Sequence, residues 1–305
     1  MLTDKEKNFV SAVVYLENNE TSVVPFLKML NATLSSHFDK YEIIFVNDAS
    51  SDGSKNAVKN TATEITAPVT LVNMSIRQGV EMCMNSGLDA AIGDFVFEFD
   101  TLEILYDEAT IFAAYKKSLE GFDIVTVGPV RATKLSSRLF YAIFNRYANN
   151  NFKLQTDVFH LISRRAINRL HSINKSLPYR KAAYAASGLK MAHIDCNAPA
   201  KSANKGIRTT NALDALALYT NAAYRLSLGI SLVMLGFTIF TVGYTIFNFI
   251  FNANTIQGWT TTMLVLSAGF FGVFLILAIV IKYLSLLVEL IFKNQKYLVE
   301  SIEKL

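Results

Sequence analysis

The stretch Tyr41-Glu42-Ile43-Ile44-Phe45-Val46-Asn47-Asp48-Ala49-Ser50-Ser51-Asp52-Gly53-Ser54 is an apolar run of branched and aromatic residues that stops in an acidic, small-residue turn. It reads as a buried strand that delivers a carboxylate to its carboxyl end. In open α/β sheets ligands bind at that end, so Asp48 would stand at a site with Asn47 beside it, while Ser50, Asp52 and Ser54 can cap the next helix. A turn and an N-cap alone would also use Asp48 and Asp52. A second run, Phe95 to Phe99, likewise ends in an acid, Asp100. In an extended strand Glu98 shares the face of Asp100, and Glu103 lies on the other.

The elements that position these acids alternate. Phe9 to Leu16 reads as a first strand, followed by the polar turn Glu17-Asn18-Asn19-Glu20-Thr21-Ser22 and a helix with apolar spacing at Val24, Phe26, Leu27 and Leu30. Ile43 to Val46 and a helix from Lys55 repeat the plan, Val69 to Met74 is a third strand, Phe95 to Phe99 a fourth, and Asp123 to Val127 another. Strand and helix in alternation predict an α/β domain with a mostly parallel sheet. Cys83 and Cys196, with no C-x-x-C spacing, give neither a disulfide framework nor a zinc site and suit the core.

The 305 residues leave room for one such domain and an appendage, and the 51% hydrophobic content is concentrated in the last third. Leu226 to Phe251 carries no charge and, at 1.5 Å per residue, reaches about 39 Å, more than the ~30 Å hydrocarbon core of a bilayer. Trp259 to Ile281 is a second such run, joined to the first by a short polar link. The expected organisation is a cytosolic domain over 1–208, an interfacial amphipathic helix over 209–225, transmembrane helices over 226–251 and 259–281, and a cytosolic amphipathic tail over 282–305. Lys205, Arg208 and Arg225 precede the hairpin while Lys282, Lys293 and Lys296 follow it, which places both chain ends in the cytosol. The charged start, Met1 to Asn8, is not expected to be a secretory signal. Uncharged spans read as an anchor and not as an ion pathway, and Gly229, Gly236 and Gly243, seven residues apart, suit self-association into a homo-oligomer. The net charge of +4 sits in a local patch between Arg131 and Arg225 and gives no reason to expect a nucleic-acid partner.

Several motifs carry a resemblance. The strand ending Asn47-Asp48-Ala49-Ser50-Ser51-Asp52-Gly53-Ser54 is similar to a V-D-D-G-S-x-D-G-S/T pattern, and Arg77-Gln78-Gly79 to R-N-x-G. A small-residue helix containing Ser86, Gly87 and Ala90 then leads to Ala91-Ile92-Gly93-Asp94 in place of A-x-G-D. Asp100 stands first in a D-x-D whose second acid is Leu102. Gly128 to Arg131 with Arg138, Phe140 and Tyr141 is similar to a G-x-R followed by a basic F-Y helix. Phe159-His160-Leu161-Ile162-Ser163-Arg164-Arg165 is similar to D-F-R-L-M-S-R-R, with His160 in place of the first Arg, Val158 where the Asp would stand, and Asp157 one residue out of register. From Phe9 to about Leu290 the chain resembles membrane-anchored family 2 glycosyltransferases of the polyprenyl-phosphate type, whose fold is GT-A, a Rossmann-like sheet domain.

The resemblance implies inverting transfer from a UDP- or GDP-linked nucleotide sugar to a polyprenyl phosphate lipid at the cytosolic face of a bacterial plasma membrane, in cell wall or surface polysaccharide synthesis. Asp48 would face the nucleotide base, with Asn47, Glu20 and Arg77 among the nucleotide contacts. Asp100, with Glu98, would hold Mg²⁺ or Mn²⁺, a hard cation that needs oxygen ligands and neutralises the leaving diphosphate. Arg131 and Arg138 would face the acceptor phosphate, for which the guanidinium fork is suited. Leu102 motivates a different class of function, a catalytically silent relative kept as the partner or scaffold of another transferase.

Overall fold

The computed structural model describes residues 5–129, 141–142, 144–146, 154, 156–173, 179–196 and 297–305, with scattered helical positions between 229 and 287. The chain divides into two compact units, Met1–Ala215 with Gln295–Leu305, and Leu216–Asn294.

The first unit runs β1 (Val10–Leu16), α1 (Glu20–His37), β2 (Tyr41–Asn47), α2 (Ser54–Ala62), β3 (Val69–Met74), α3 (Val80–Ala90), β4 (Phe95–Phe99), α4 (Ala109–Leu119), β5 (Ile124–Pro129), β6 (Phe159–Ser163), α5 (Arg164–Ile173), α6 (Arg180–Ala186), β7 (Met191–Cys196) and β8 (Val299–Lys304). One sheet takes the order β7-β5-β6-β4-β1-β2-β3-β8. The parallel arrangement expected from the alternation holds across β4-β1-β2-β3 and between β5 and β7. Antiparallel neighbours complete the sheet, with β6 between β4 and β5, and β8 along β3.

The central strands are apolar on both faces, as strands covered by helices must be. Every residue of β1 except Tyr15 is buried, and so are Ile43 to Val46 of β2. Phe99 meets Phe26 edge-on at 5.4 Å and Phe159 at 5.2 Å, which joins α1, β4 and β6 in one core. Helix α3 lies close because Gly87 faces β1 and β2, where a Cβ would collide with Val13 and come within 2.9 Å of Val46. The register pairs Leu16 with Asn47 and Val14 with Phe99, so the turns after β2 and β4 leave the same end of the sheet with β1 between them. At a strand spacing of about 4.8 Å, the two acidic turns start about 10 Å apart.

The segment 282–305, expected as an amphipathic tail, ends instead in β8. Val299, Ser301 and Glu303 alternate with the more exposed Glu300, Ile302 and Lys304, a period of two and not of 3.6. Asn73 of β3 donates to Ser301 Oγ and to Glu303 Oε1, both at 3.0 Å, and Lys55 and Lys59 of α2 pair with Glu303. In the second unit the described positions are helical, and Gly272 lies against Met234, whose Cγ would be 2.8 Å from an added Cβ. Among the described residues no helix is long and apolar enough to cross a membrane, and much of 226–251 and 259–281 lies outside them. The 209–225 segment also lies outside the described residues.

Candidate active site

The first acidic turn is built by hydrogen bonds from the loop after β3. Asp48 is fully buried. Its Oδ1 accepts the Gln78 backbone N–H at 2.6 Å, and its Oδ2 accepts that of Gly79 at 2.9 Å. Gly79 has φ of 86°, a left-handed conformation natural to glycine, and this aims consecutive N–H groups at the carboxylate. The Tyr15 hydroxyl lies 2.8 Å from Asp48 and 2.9 Å from Glu17 and donates to one at a time. Burial, then these two carboxylates, push its pKa up, so it stays a neutral donor.

The other expected nucleotide residues gather here. Asn47 donates to Asn73 Oδ1 at 3.0 Å and accepts the Ser50 N–H at 3.1 Å. Glu20, at the first turn of α1, accepts the Gly53 N–H, while its own N–H goes to Asp52. Arg77 pairs with Glu17, and its side chain is 62% exposed. The structure therefore brings Asp48, Asn47, Glu20 and Arg77 to one corner of the sheet. Within it, both oxygens of Asp48 are engaged by the protein, and Arg77 is the exposed cation.

The second acidic turn is built differently. Glu98 and Asp100 do share a face, and what they meet there is Arg180, 1% exposed, from the first turn of α6. Its Nη1 donates to Glu98 Oε1 and its Nη2 to Asp100 Oδ1, both at 2.6 Å, and its Nε donates to Glu81 Oε2 of α3 at 2.9 Å. Glu81 also accepts the Arg180 backbone N–H at 3.1 Å, capping α6 with a carboxylate. The Tyr184 hydroxyl lies 3.0 Å and 2.9 Å from the two oxygens of Glu98. Lys181 stands 4.0 Å from Asp100 and also pairs with Asp157. Leu102, at the position of the second acid, is 3% exposed and belongs to the core. Asp100 is the polar end of a strand, whereas Leu102 anchors the turn after it.

Beside this cluster His160 donates to or accepts from Asp157 through Nε2 at 2.5 Å, and both are buried in β6 and the turn before it. Burial alone would lower the His160 pKa, and the Asp157 carboxylate outweighs it and raises it. Burial alone would raise that of Asp157, and His160 with Lys181 hold it far below the usual range. Asp100 is lowered in the same way, against its burial, by Arg180, Lys181 and His160. Glu81 goes the other way, raised because burial outweighs Arg180. A small cavity lined in part by Thr126, Asp157, His160, Lys181 and Tyr184 adjoins the pair, and His160 Nδ1 has no protein partner among the described residues.

These contacts decide whether the expected Mg²⁺ or Mn²⁺ fits. Such an ion takes oxygen ligands with little tolerance in geometry. Both oxygens of Glu98 and one of Asp100 already accept hydrogen bonds, the place of the next acid is apolar, and among the described residues no three His, Cys, Asp or Glu side chains are arranged to hold a metal. The donor set as built accommodates a guanidinium and not a divalent ion.

The motif arginines of α5 have structural partners. Arg164 donates to the carbonyls of Ala91 at 2.7 Å and Gly93 at 2.8 Å, and Arg165 makes a bidentate pair with Asp123 at 2.8 and 2.7 Å. Cys83 is buried, and Cys196 packs against the core edge. Arg131 and Arg138, the expected acceptor contacts, lie outside the described residues, as do Lys201, Lys205 and Arg208. Sequence reasoning missed Arg180, Lys181 and Glu81. The available signal was a basic pair opening an alanine-rich helix, and it does not name its partners, which for Arg180 lie 80 or more residues away.

The comparisons with known proteins agree with this frame. The pattern of glycosyl transferase family 2 matches residues 11–176, which include both acidic turns. A protein of Bacillus subtilis described as an uncharacterized glycosyltransferase is 20% identical over 287 residues, 90% of this chain and 88% of its own. An undecaprenyl-phosphate 4-deoxy-4-formamido-L-arabinose transferase of Shewanella sediminis is 27% identical over 132 residues, 43% of this chain and 39% of its own. Among solved structures, a mannosyltransferase of Pyrobaculum calidifontis in complex with GDP-Man and Mn²⁺ is 15% identical, with a TM-score of 0.47 over 92% of this chain and 88% of its own. The family match covers more than half of the sequence and takes in the strands from β1 to β6, so the chain belongs to glycosyl transferase family 2, with its GT-A sheet domain.

Proposed function

We propose that the protein transfers a glycosyl group from a UDP- or GDP-linked sugar to a polyprenyl phosphate, with inversion, at the cytosolic face of a membrane. The observation that carries this reading is that a family 2 sheet presents Asp48 and Asp100 at the same carboxyl end, where α/β sheets bind ligands, in a chain whose relatives include undecaprenyl-phosphate sugar transferases. A phosphate acceptor is already anionic at neutral pH, so the reaction asks for no strong general base. The work is positioning and electrostatic stabilisation of the departing diphosphate. Arg131 and Arg138 are the proposed acceptor contacts, and the corner of Asn47, Glu20 and Arg77 is the proposed nucleotide side.

The same reading gives 226–251 and 259–281 the role of a membrane hairpin. Two observations support it. The chain leaves the first unit near Ala215 and rejoins it at Gln295, so a segment that crosses a bilayer in between crosses it an even number of times. Gly272 and Met234, one from each proposed span, are in contact. Gly229 and Gly236 have open space where a Cβ would stand, which suits close approach of a second copy.

The test is transfer itself: detergent-purified full chain, a panel of labelled UDP- and GDP-sugars, and undecaprenyl phosphate in mixed micelles. Label in the lipid extract with one donor is the expected result. Leu102 in the core and Arg180 on the carboxylates favour the second reading, a silent relative acting as a partner. Nucleotide binding without label transfer from any donor would establish that one.

A further inference from the structure

We infer that Arg180 is the resident cation of the Glu98 and Asp100 site, filling it with a guanidinium, so that the protein engages its nucleotide without a divalent metal ion. The inference deepens the transferase reading and rests on it only for the nucleotide. The argument is geometric. A guanidinium offers five N–H donors in a rigid fork, and here three different nitrogens reach three different carboxylates, on α3, in β4 and just after it, at 2.9, 2.6 and 2.6 Å. Every one of these groups is nearly sealed from water, with Arg180 at 1% and Glu98 at 0% exposure, and Asp100 and Glu81 at 12% and 11% on their side chains. A divalent ion would have to take Asp100 and Glu98 away from Arg180, leaving a buried guanidinium short of partners, which is strongly unfavourable.

The surroundings are built around the guanidinium as well. Tyr184, one helical turn after Arg180, uses its hydroxyl on Glu98, which fixes the carboxylate in the orientation that faces Nη1. Lys181 adds a second cation 4.0 Å from Asp100. Leu102 shows the complementary change, since a side chain in the core cannot be a ligand. The apolar residue at the place of the second acid and the internal cation on Glu98 and Asp100 thus act in the same direction. The chain carries the cation that this site holds.

The experiment uses the full chain in detergent. Mn²⁺ is titrated and followed by electron paramagnetic resonance, and UDP and GDP are titrated calorimetrically in EDTA and in Mn²⁺. The expected result is no saturable Mn²⁺ binding below about 1 mM, and a nucleotide affinity that agrees within about twofold between the two conditions. Arg180→Gln leaves the three carboxylates uncompensated and is expected to gain one Mn²⁺ site with a rise in thermal midpoint on adding the metal. Arg180→Lys, which keeps the charge, is expected to gain none. A stoichiometric Mn²⁺ site in the unmodified protein, or nucleotide affinity at least about tenfold higher with Mn²⁺ than with EDTA, would overturn the inference. If Arg180→Gln does not fold, the titration of the unmodified chain decides. If neither nucleotide binds, the transferase reading fails, and the Mn²⁺ titration still answers for Arg180.

Discussion

Two acidic turns leave the same end of one sheet, and they satisfy their carboxylates by opposite means. Asp48 takes backbone N–H groups from Gln78 and Gly79 and a neutral hydroxyl from Tyr15. Asp100 and Glu98 take a full positive charge from Arg180. Backbone donors fix geometry and leave the carboxylate's charge in place, since a carboxylate is well held by two or three N–H groups while keeping its ionised form. A guanidinium cancels charge and couples the site to whatever element carries it, here α6. The first corner is therefore a rigid latch, and the second a cluster of three carboxylates whose integrity depends on one side chain.

The largest expected effect follows directly. Arg180→Gln removes the cation from three carboxylates in a nearly dry site, and breaking a buried ion pair by deleting one partner costs about 3–5 kcal/mol. Urea denaturation followed by tryptophan-independent circular dichroism should show that loss at neutral pH and a partial recovery at low pH, where the carboxylates protonate. Asp48→Asn tests the other corner with a smaller change. The amide keeps one accepting oxygen but turns an N–H₂ toward a backbone donor, an unsatisfied contact worth about 1–3 kcal/mol. It should also loosen the 77–79 loop, read as faster amide exchange at Gln78 and Gly79. Equal losses from the two substitutions would erase the contrast between latch and cluster.

The latch was far more legible in the sequence than the cluster. Strands β3 and β4 were expected at their observed bounds, because short branched and aromatic runs between turn residues leave little choice. Asp48 itself is legible at the end of its apolar strand and Arg77-Gln78-Gly79 as a motif, whereas the N–H groups that join the two emerge only from the fold. Arg180 was not legible, because an arginine opening a helix says nothing about carboxylates on α3 and β4 until the fold brings them together. Strand β8 was hidden for another reason. Its inward side chains include Ser301 and Glu303, whose partners Asn73, Lys55 and Lys59 are polar, so the alternation carried no hydrophobic signal. β6 lies wholly within the Phe159 to Arg165 motif, so it reads as a motif before it reads as a strand.

His160 sharpens the cluster side of the comparison through pH. Its pKa is raised above the ordinary value of 6.5 by Asp157, against its burial, so the folded state binds the proton more tightly than the unfolded chain. That stabilisation is fully present below pH 6.5 and is lost as pH rises through the raised value. Lys181 and Glu98 face the same ring, and Lys181 stays charged because Asp157 and Asp100 raise it against its burial. Stability of the unmodified protein should therefore fall as pH rises above 6.5, and His160→Asn should flatten that slope. Asp48→Asn should leave it unchanged, because Asp48 takes its hydrogen bonds from Gln78, Gly79 and Tyr15 and not from His160. A slope that survives His160→Asn would assign the pH dependence elsewhere.

The smallest effect belongs to the latch and has the opposite sign. Ala49, directly after Asp48, has φ of 49°, in the left-handed region. An L-residue with a Cβ pays about 1–2 kcal/mol there, while glycine adopts it freely but loses more backbone entropy on folding, about 0.5–1 kcal/mol relative to alanine. The difference makes Ala49→Gly stabilising by about 0.5–1 kcal/mol, a rise of about 2 °C in thermal midpoint for a domain of this size. The Ser50 N–H bond to Asn47 and the Asp48 contacts require no change in backbone, so nucleotide affinity should stay as it was. A fall in midpoint would show that the methyl group of Ala49 contributes packing that outweighs its strained dihedral, and that the turn tolerates alanine because its neighbours hold it.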